Sequence, residues 1–204
     1  MAKNDINAEK RAEIVAAFMD SVRELGLERA SMGEVGRKIG LDRSSLYYYF
    51  KTKQELIEES ARHLAAGYLE QLEAAIARFS ALERARQLVE HTFGPSFHQP
   101  KFAAVMDEFN ATSNRDKAVE KSVAGIYRSY ESAIVREIDT SYPDADQKDR
   151  RDVAYAISQL AEGASVFQTL GFGTDRRLAA RTISLKLLDW LAEDHARVRR
   201  RKRG

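Results

Sequence analysis

The sequence predicts an all-α protein, and three observations predict it. Apolar residues recur at spacings of three and four through most of the 204 residues, the period of one helical face. The strict alternation that marks half-buried strands is nearly absent. All three prolines, Pro95, Pro100 and Pro143, fall in short separators between periodic stretches, where a residue without an amide donor interrupts no helix. With 44% hydrophobic and 31% charged residues, the chain is long enough to bury a substantial core.

The first element carries Ile14, Phe18, Val22 and Leu25 on one face, with Lys10, Arg11, Glu13 and Asp20 elsewhere around the cylinder. Gly26 then supplies a stop. Two short helices follow, residues 32–39 and about 43–49. A long one runs from Lys53 to about Phe79 through Leu56, Ser60, Leu64, Tyr68, Leu72 and Ile76. Further helices are expected at about 82–93, 101–111, 115–139, 147–170 and 174–195, which makes about nine in total. Gly94-Pro95, Gln99-Pro100, Tyr142-Pro143 and Gly171-Phe172-Gly173 supply the stops between them.

Residues 31–59 carry the most specific local chemistry. Ser31 with Glu34, and Thr52 with Glu55, have the spacing of capping boxes, and Asp42 is placed to cap the helix between them. Gly40 allows a tight turn after Ile39, and Leu41 packs inward. Two short helices joined by a Gly-containing turn of three or four residues form a helix-turn-helix, whose second helix enters the DNA major groove. Arg43, Ser44 and Ser45 open that second helix, where side chains reach base edges, and Tyr47, Tyr48 and Tyr49 follow. Arg43 has the fork to donate two hydrogen bonds to guanine, worth about 1–3 kcal/mol of discrimination. Lys53 sits at a helix start, where amides and dipole favour a phosphate. Consecutive helical residues point about 100° apart, so one or two of the three tyrosines are expected to pack rather than read.

The run GLDRSSLYYYFKTKQEL, Gly40 to Leu56, resembles the signature of the TetR family of bacterial transcriptional regulators. The likeness covers roughly the first sixty residues. It implies a three-helix DNA-binding domain at 8–68 with its motif at 31–50, and a helical ligand-binding and dimerisation domain at 69–195. Residues 196–204 are left as a basic, disordered tail. By position it makes Arg43, Ser44, Ser45, Tyr47 and Tyr49 base or phosphate contacts, with Tyr48 shared between packing and phosphate. Lys53 becomes a backbone contact, Ser31 and Met32 lie near the phosphates, and Leu46 and Phe50 are core. One departure stands out: Gly33 and Gly36 both lie in the first motif helix, and at the second the family usually has Ala. Each Gly costs about 0.8–1.0 kcal/mol of helix propensity relative to Ala.

Beyond residue 79, aromatic residues and methionine recur at helical spacing, chiefly as core. Phe93, Phe102, Met106, Phe109, Tyr127, Tyr130, Phe167 and Gln168 are the candidates to line an apolar cavity for a small-molecule effector, with His98 and Asn110 as further polar groups. Val153, Ile157, Leu160 and Phe167 form one stripe, and Ile183, Leu187, Trp190 and Leu191 another. Such a pair either closes an internal hairpin or joins its copy in a four-helix interface, and the family resemblance favours the homodimer.

Composition excludes several classes. No cysteine means no disulfide, thiolate zinc site, iron–sulfur cluster or cysteine nucleophile. The sequence carries no GxSxG, HExxH, Walker A or dinucleotide fingerprint, so no catalytic residue, metal or cofactor is expected. No apolar run approaches the roughly 20 residues that span a bilayer, and no secretory signal opens the chain, so a cytoplasmic protein without a membrane partner is expected. The net charge of +2 divides into +2 over residues 1–53, −6 over 54–194 and +6 over 195–204. The expected function is a small-molecule-responsive repressor that binds a palindromic site on double-stranded DNA as a homodimer. The alternative is an architectural or cell-division DNA-binding protein that uses the same fold as a platform for partners.

Overall fold

The computed structural model describes residues 3–94 and 100–201. Among the described residues there are nine helices and no strand: α1 (Lys3–Leu25), α2 (Met32–Ile39), α3 (Arg43–Tyr49), α4 (Lys53–Ile76), α5 (Ala81–Thr92), α6 (Pro100–Ser113), α7 (Lys117–Ser141), α8 (Gln147–Thr169) and α9 (Thr174–Arg201). The α2 and α3 bounds agree with the sequence expectation residue for residue. The tail expectation is corrected, because residues 196–201 continue α9 as helix. Arginine is a good helix former, and cations near a helix C-terminus oppose its dipole. Residues 202–204 and His98 lie outside the described residues.

The chain divides into two compact units, Met1–Ala66 with Pro100–Tyr127, and Gly67–Gln99 with Arg128–Gly204. The expected boundary at residue 68 falls beside the observed division inside α4. The assignment of everything from 69 onward to one domain does not hold, since α6 and the first part of α7 join the first unit. There Val105, Phe109, Val119 and Val123 share a core with Ile14, Phe18, Val22, Leu46, Phe50 and Leu56. The second unit has its own core, built on Leu72, Ile76, Leu88, Ile134, Ile138, Ile157 and Leu188.

Local chemistry shapes the α2–α3 turn. Ser31 Oγ accepts the Glu34 amide at 3.2 Å and so caps α2. Gly40 ends α2 with φ +66°, a left-handed conformation in which a Cβ is unfavourable. The Leu41 amide donates back to the Gly36 carbonyl at 2.9 Å. A Cβ on Gly36 would lie 2.7 Å from the Leu41 carbonyl oxygen, so the departure from Ala is explained by the turn folding directly onto α2.

Candidate nucleic-acid interface

Seven residues are too few for a helix that stands on its own propensity. The short α3 is held by its caps and by two anchors, Leu46 and Phe50, both fully buried as the family resemblance implied. Asp42 caps it and does more. Its carboxylate accepts the Ser45 amide at 2.9 Å, the Ser44 hydroxyl at 2.6 Å and the Ser45 hydroxyl at 2.8 Å. The Ser44 hydrogen bond, then those from the Ser45 amide and hydroxyl, hold the Asp42 carboxyl well below its ordinary range. A carboxylate only accepts, so both serine protons point at Asp42 and lone pairs are what the hydroxyls offer outward.

Around this helix the structure sorts the candidates. Arg43 and Ser44 are exposed and Ser45 is half-buried. The Arg43 guanidinium lies 5.4 Å from the centre of the Tyr47 ring. Tyr48 is the outward member of the triplet at 64% exposure, whereas Tyr47 and Tyr49 pack partly against the first core. Two of the three tyrosines therefore pack, and Tyr48, expected to be shared between packing and phosphate, is the one that faces outward. Tyr48 and Tyr49 meet edge to face at 5.2 Å.

Two other expectations are corrected. Met32, 7% exposed, is part of the first core rather than a residue facing phosphates. Lys53 does not reach outward either. Its Nζ donates to the Leu27 carbonyl at 2.5 Å and to the Glu28 carbonyl at 3.1 Å, which braces the turn after α1. Burial lowers the Lys53 ammonium pKa, against the opposing charge of Glu28. Glu108 on α6 accepts the Leu27 amide at 3.0 Å, so Leu27 is held at both its amide and its carbonyl. Lys51, which the sequence reading passed over, is the exposed cation beside α3, with its ammonium 5.9 Å from the Tyr48 ring. Its backbone amide is tied to Glu55 at 2.7 Å. A lysine directly after a recognition helix was the available signal.

The effector candidates are dispersed. Phe102, Met106, Phe109 and Tyr127 belong to the first core, and Asn110 donates to the Tyr127 hydroxyl at 3.0 Å. Phe93 and Tyr130 belong to the second core. Phe167 is 46% exposed and packs edge-on against Phe172, while Gln168 is half-buried beside it. In the second unit the structure adds two residues that the sequence reading did not group with Tyr130. The Tyr68 and Tyr130 rings meet edge to face at 4.7 Å, and their hydroxyls converge with that of buried Thr92. Burial is the main cause that pushes both phenols up.

The two interface stripes also divide. Val153, Ile157 and Leu191 are buried inside the second unit and Leu160 packs against its core, as an internal hairpin requires. Ile183 and Trp190, each 48% exposed, remain outside with Tyr155, Leu170, Phe172 and Leu178; Leu187 is half-buried. Among the described residues no group of three or more His, Asp or Glu is arranged to hold a metal ion. Nor is any helix among them long and apolar enough to cross a membrane.

An all-helical chain with a capped, outward-facing second motif helix defines a helix-turn-helix protein. Comparison with known proteins agrees. The family described as bacterial regulatory proteins, tetR family, matches residues 14–60, the segment from mid-α1 into α4. The chain is similar to the HTH-type transcriptional regulator BetI of Yersinia pestis (strain Pestoides F), 26% identical over 99 residues. That alignment covers 47% of this chain and 50% of BetI, so the chain spans about half the length of the curated relatives it matches. In fold it is similar to a TetR transcription regulator from Haloarcula marismortui, with TM-score 0.74 and 15% identity over 89% of this chain and 97% of that one. It is also similar to a Saccharomonospora viridis protein solved in complex with choline, with TM-score 0.70 and 16% identity over 89% and 96% of the two chains. Residues 14–60 thus match the DNA-binding region of the tetR family of bacterial regulatory proteins, and the fold of the whole chain is similar to that of TetR regulators. Its relatives are regulators, not enzymes.

Proposed function

We propose that this protein is a cytoplasmic repressor that binds a palindromic operator as a homodimer and is released by a small-molecule effector. The observation that carries the reading is α3 itself, anchored by Leu46 and Phe50 while Arg43, Ser44 and Tyr48 face outward. Two copies would read half-sites about one helical turn apart, roughly 34–36 Å. The test is footprinting on a site selected from random DNA at stated salt. The Arg43→Ala/Tyr48→Ala double variant is expected to lose specific affinity roughly 100-fold, the scale of two base contacts, and to keep its helicity. Protection equal to wild type overturns the assignment of α3. Binding without sequence preference that spreads cooperatively along the duplex overturns the repressor in favour of an architectural role.

The homodimer is supported by the exposed apolar residues of α8 and α9, since apolar patches on a surface mark interaction sites. For the effector, the supporting group is Tyr68, Tyr130 and Thr92, with the charge of Glu162 acting on Tyr130. Aromatic faces beside a carboxylate suit an onium ion, the class to which choline belongs. Choline is the first probe. Calorimetric binding that Tyr130→Ala abolishes supports a cationic effector at this group, and no heat with choline removes it.

A further inference from the structure

We propose that Arg11 is a positioning residue for sequence reading: from α1 it fixes the pose of α3. The inference rests on the DNA-binding reading of α3 and deepens it. By its place in the sequence Arg11 belongs to the polar side of α1, yet its guanidinium is half-buried and touches two other elements. Nη1 donates at 2.5 Å to the carbonyl of Tyr49, the last residue of α3. The guanidinium carbon lies 4.1 Å from the centre of the Phe50 ring, which is itself fully buried. Nη2 reaches Glu59 on α4 at 3.5 Å, and Glu59 also pairs with Arg62.

The chemistry explains why Arg stands here. The last carbonyls of a helix have no partner within it, and the C-terminus carries the negative end of the dipole, so a cation that donates to Tyr49 meets both needs. A planar guanidinium can stack on a ring while its edge donates in two directions, which an ammonium cannot do. The amino end of α3 is capped by Asp42, a residue of its own chain segment. Arg11 is therefore a polar tie between the other end and two longer helices, α1 and α4, beside the bond of the Lys51 amide to Glu55. The pose matters because a recognition surface works only when held to about half an ångström. A tilt about Leu46 would carry Arg43 and Tyr48 off the base edges and leave phosphate attraction intact.

The readout is the ratio of affinity for the selected duplex to that for a scrambled duplex, measured by fluorescence anisotropy on the full chain, with thermal melts alongside. Arg11→Lys keeps the charge and is expected to lower the ratio about tenfold, the scale of one misread base pair, with the scrambled duplex bound within twofold of wild type. Arg11→Met is expected to lower it further, so the order runs Arg, Lys, Met. Glu59→Gln, which leaves every contact of Arg11 with Tyr49 and Phe50, is expected to fold as wild type and lower the ratio two- to fivefold. A melt shift without a change of ratio in Arg11→Lys shows a structural role only and overturns the inference. If the Arg11 variants do not fold, an unchanged ratio in Glu59→Gln overturns it. A wild-type chain that selects no sequence overturns the DNA-binding reading itself, and the inference falls with it.

Discussion

At position 36 the preference of a helix and the geometry of the turn oppose each other. Ala in place of Gly36 would gain about 0.8–1.0 kcal/mol of helix propensity. The new methyl, however, meets the Leu41 carbonyl at 2.7 Å, a backbone atom that cannot rotate aside. Overpacking of this kind costs about 1–3 kcal/mol, so Gly36→Ala is expected to destabilise the protein on balance and lower the melting temperature by a few degrees. A rise in the calorimetric midpoint would contradict this. Asp42 poses a second question at the same scale, because it takes both serine protons. Hydroxyls left with lone pairs suit the amino groups of adenine and cytosine. Asp42→Asn keeps the cap and can donate, which frees a serine proton. In random-site selection, the positions that lose preference in Ser44→Ala and Ser45→Ala are expected to move from A or C toward G or T in Asp42→Asn.

Among elements, α3 and the start of α4 show how neighbouring lysines take different tasks. Lys53 is turned inward onto the carbonyls of Leu27 and Glu28. Lys51 is exposed beside Tyr48. Lys53→Met is expected to cost about 1 kcal/mol of stability, the scale of a charged hydrogen bond that is only half-buried, and to leave the salt dependence of DNA binding unchanged. Lys51→Ala is expected to do the reverse, with stability retained and the slope of log affinity against log salt reduced by about one. Denaturant melts and binding at four salt concentrations separate the two. Equal salt slopes for the two variants would remove Lys51 from the interface. Leu27, held by Lys53 through its carbonyl and by Glu108 through its amide, ties α6 to the turn that leads into α2.

For the whole molecule, the proposed homodimer makes the sharpest prediction. Ile183 and Trp190 lie exposed on α9 at 48% each and are not part of the core of the second unit. The Ile183→Asp/Trp190→Glu double variant is expected to sediment as a monomer with an unchanged helical spectrum. Its operator affinity is expected to fall by at least about tenfold, because one reading head must then bind without the other. Substitution at Val153, Ile157 or Leu191 would unfold the unit instead, since these are buried within it. A double variant that remains dimeric would place the interface elsewhere.

Much of the architecture was legible from the residues alone. The helices, their stops and the α2–turn–α3 motif follow from caps, glycines and a period of three to four residues, all of which act over a few positions of chain, while the burial of Leu46 and Phe50 was implied by the family resemblance. What tertiary structure decided is which partner each face meets. Periodicity shows that Phe102, Met106 and Phe109 face a core; only packing assigns α6 to the unit that holds α3. The same holds for the stripes of α8 and α9, where Val153 and Ile157 turned inward and Trp190 did not. Long side chains are least determined by their position in sequence. Arg11 and Lys53 have stems long enough to reach either solvent or a distant carbonyl, and the choice between the two belongs to residues tens of positions away.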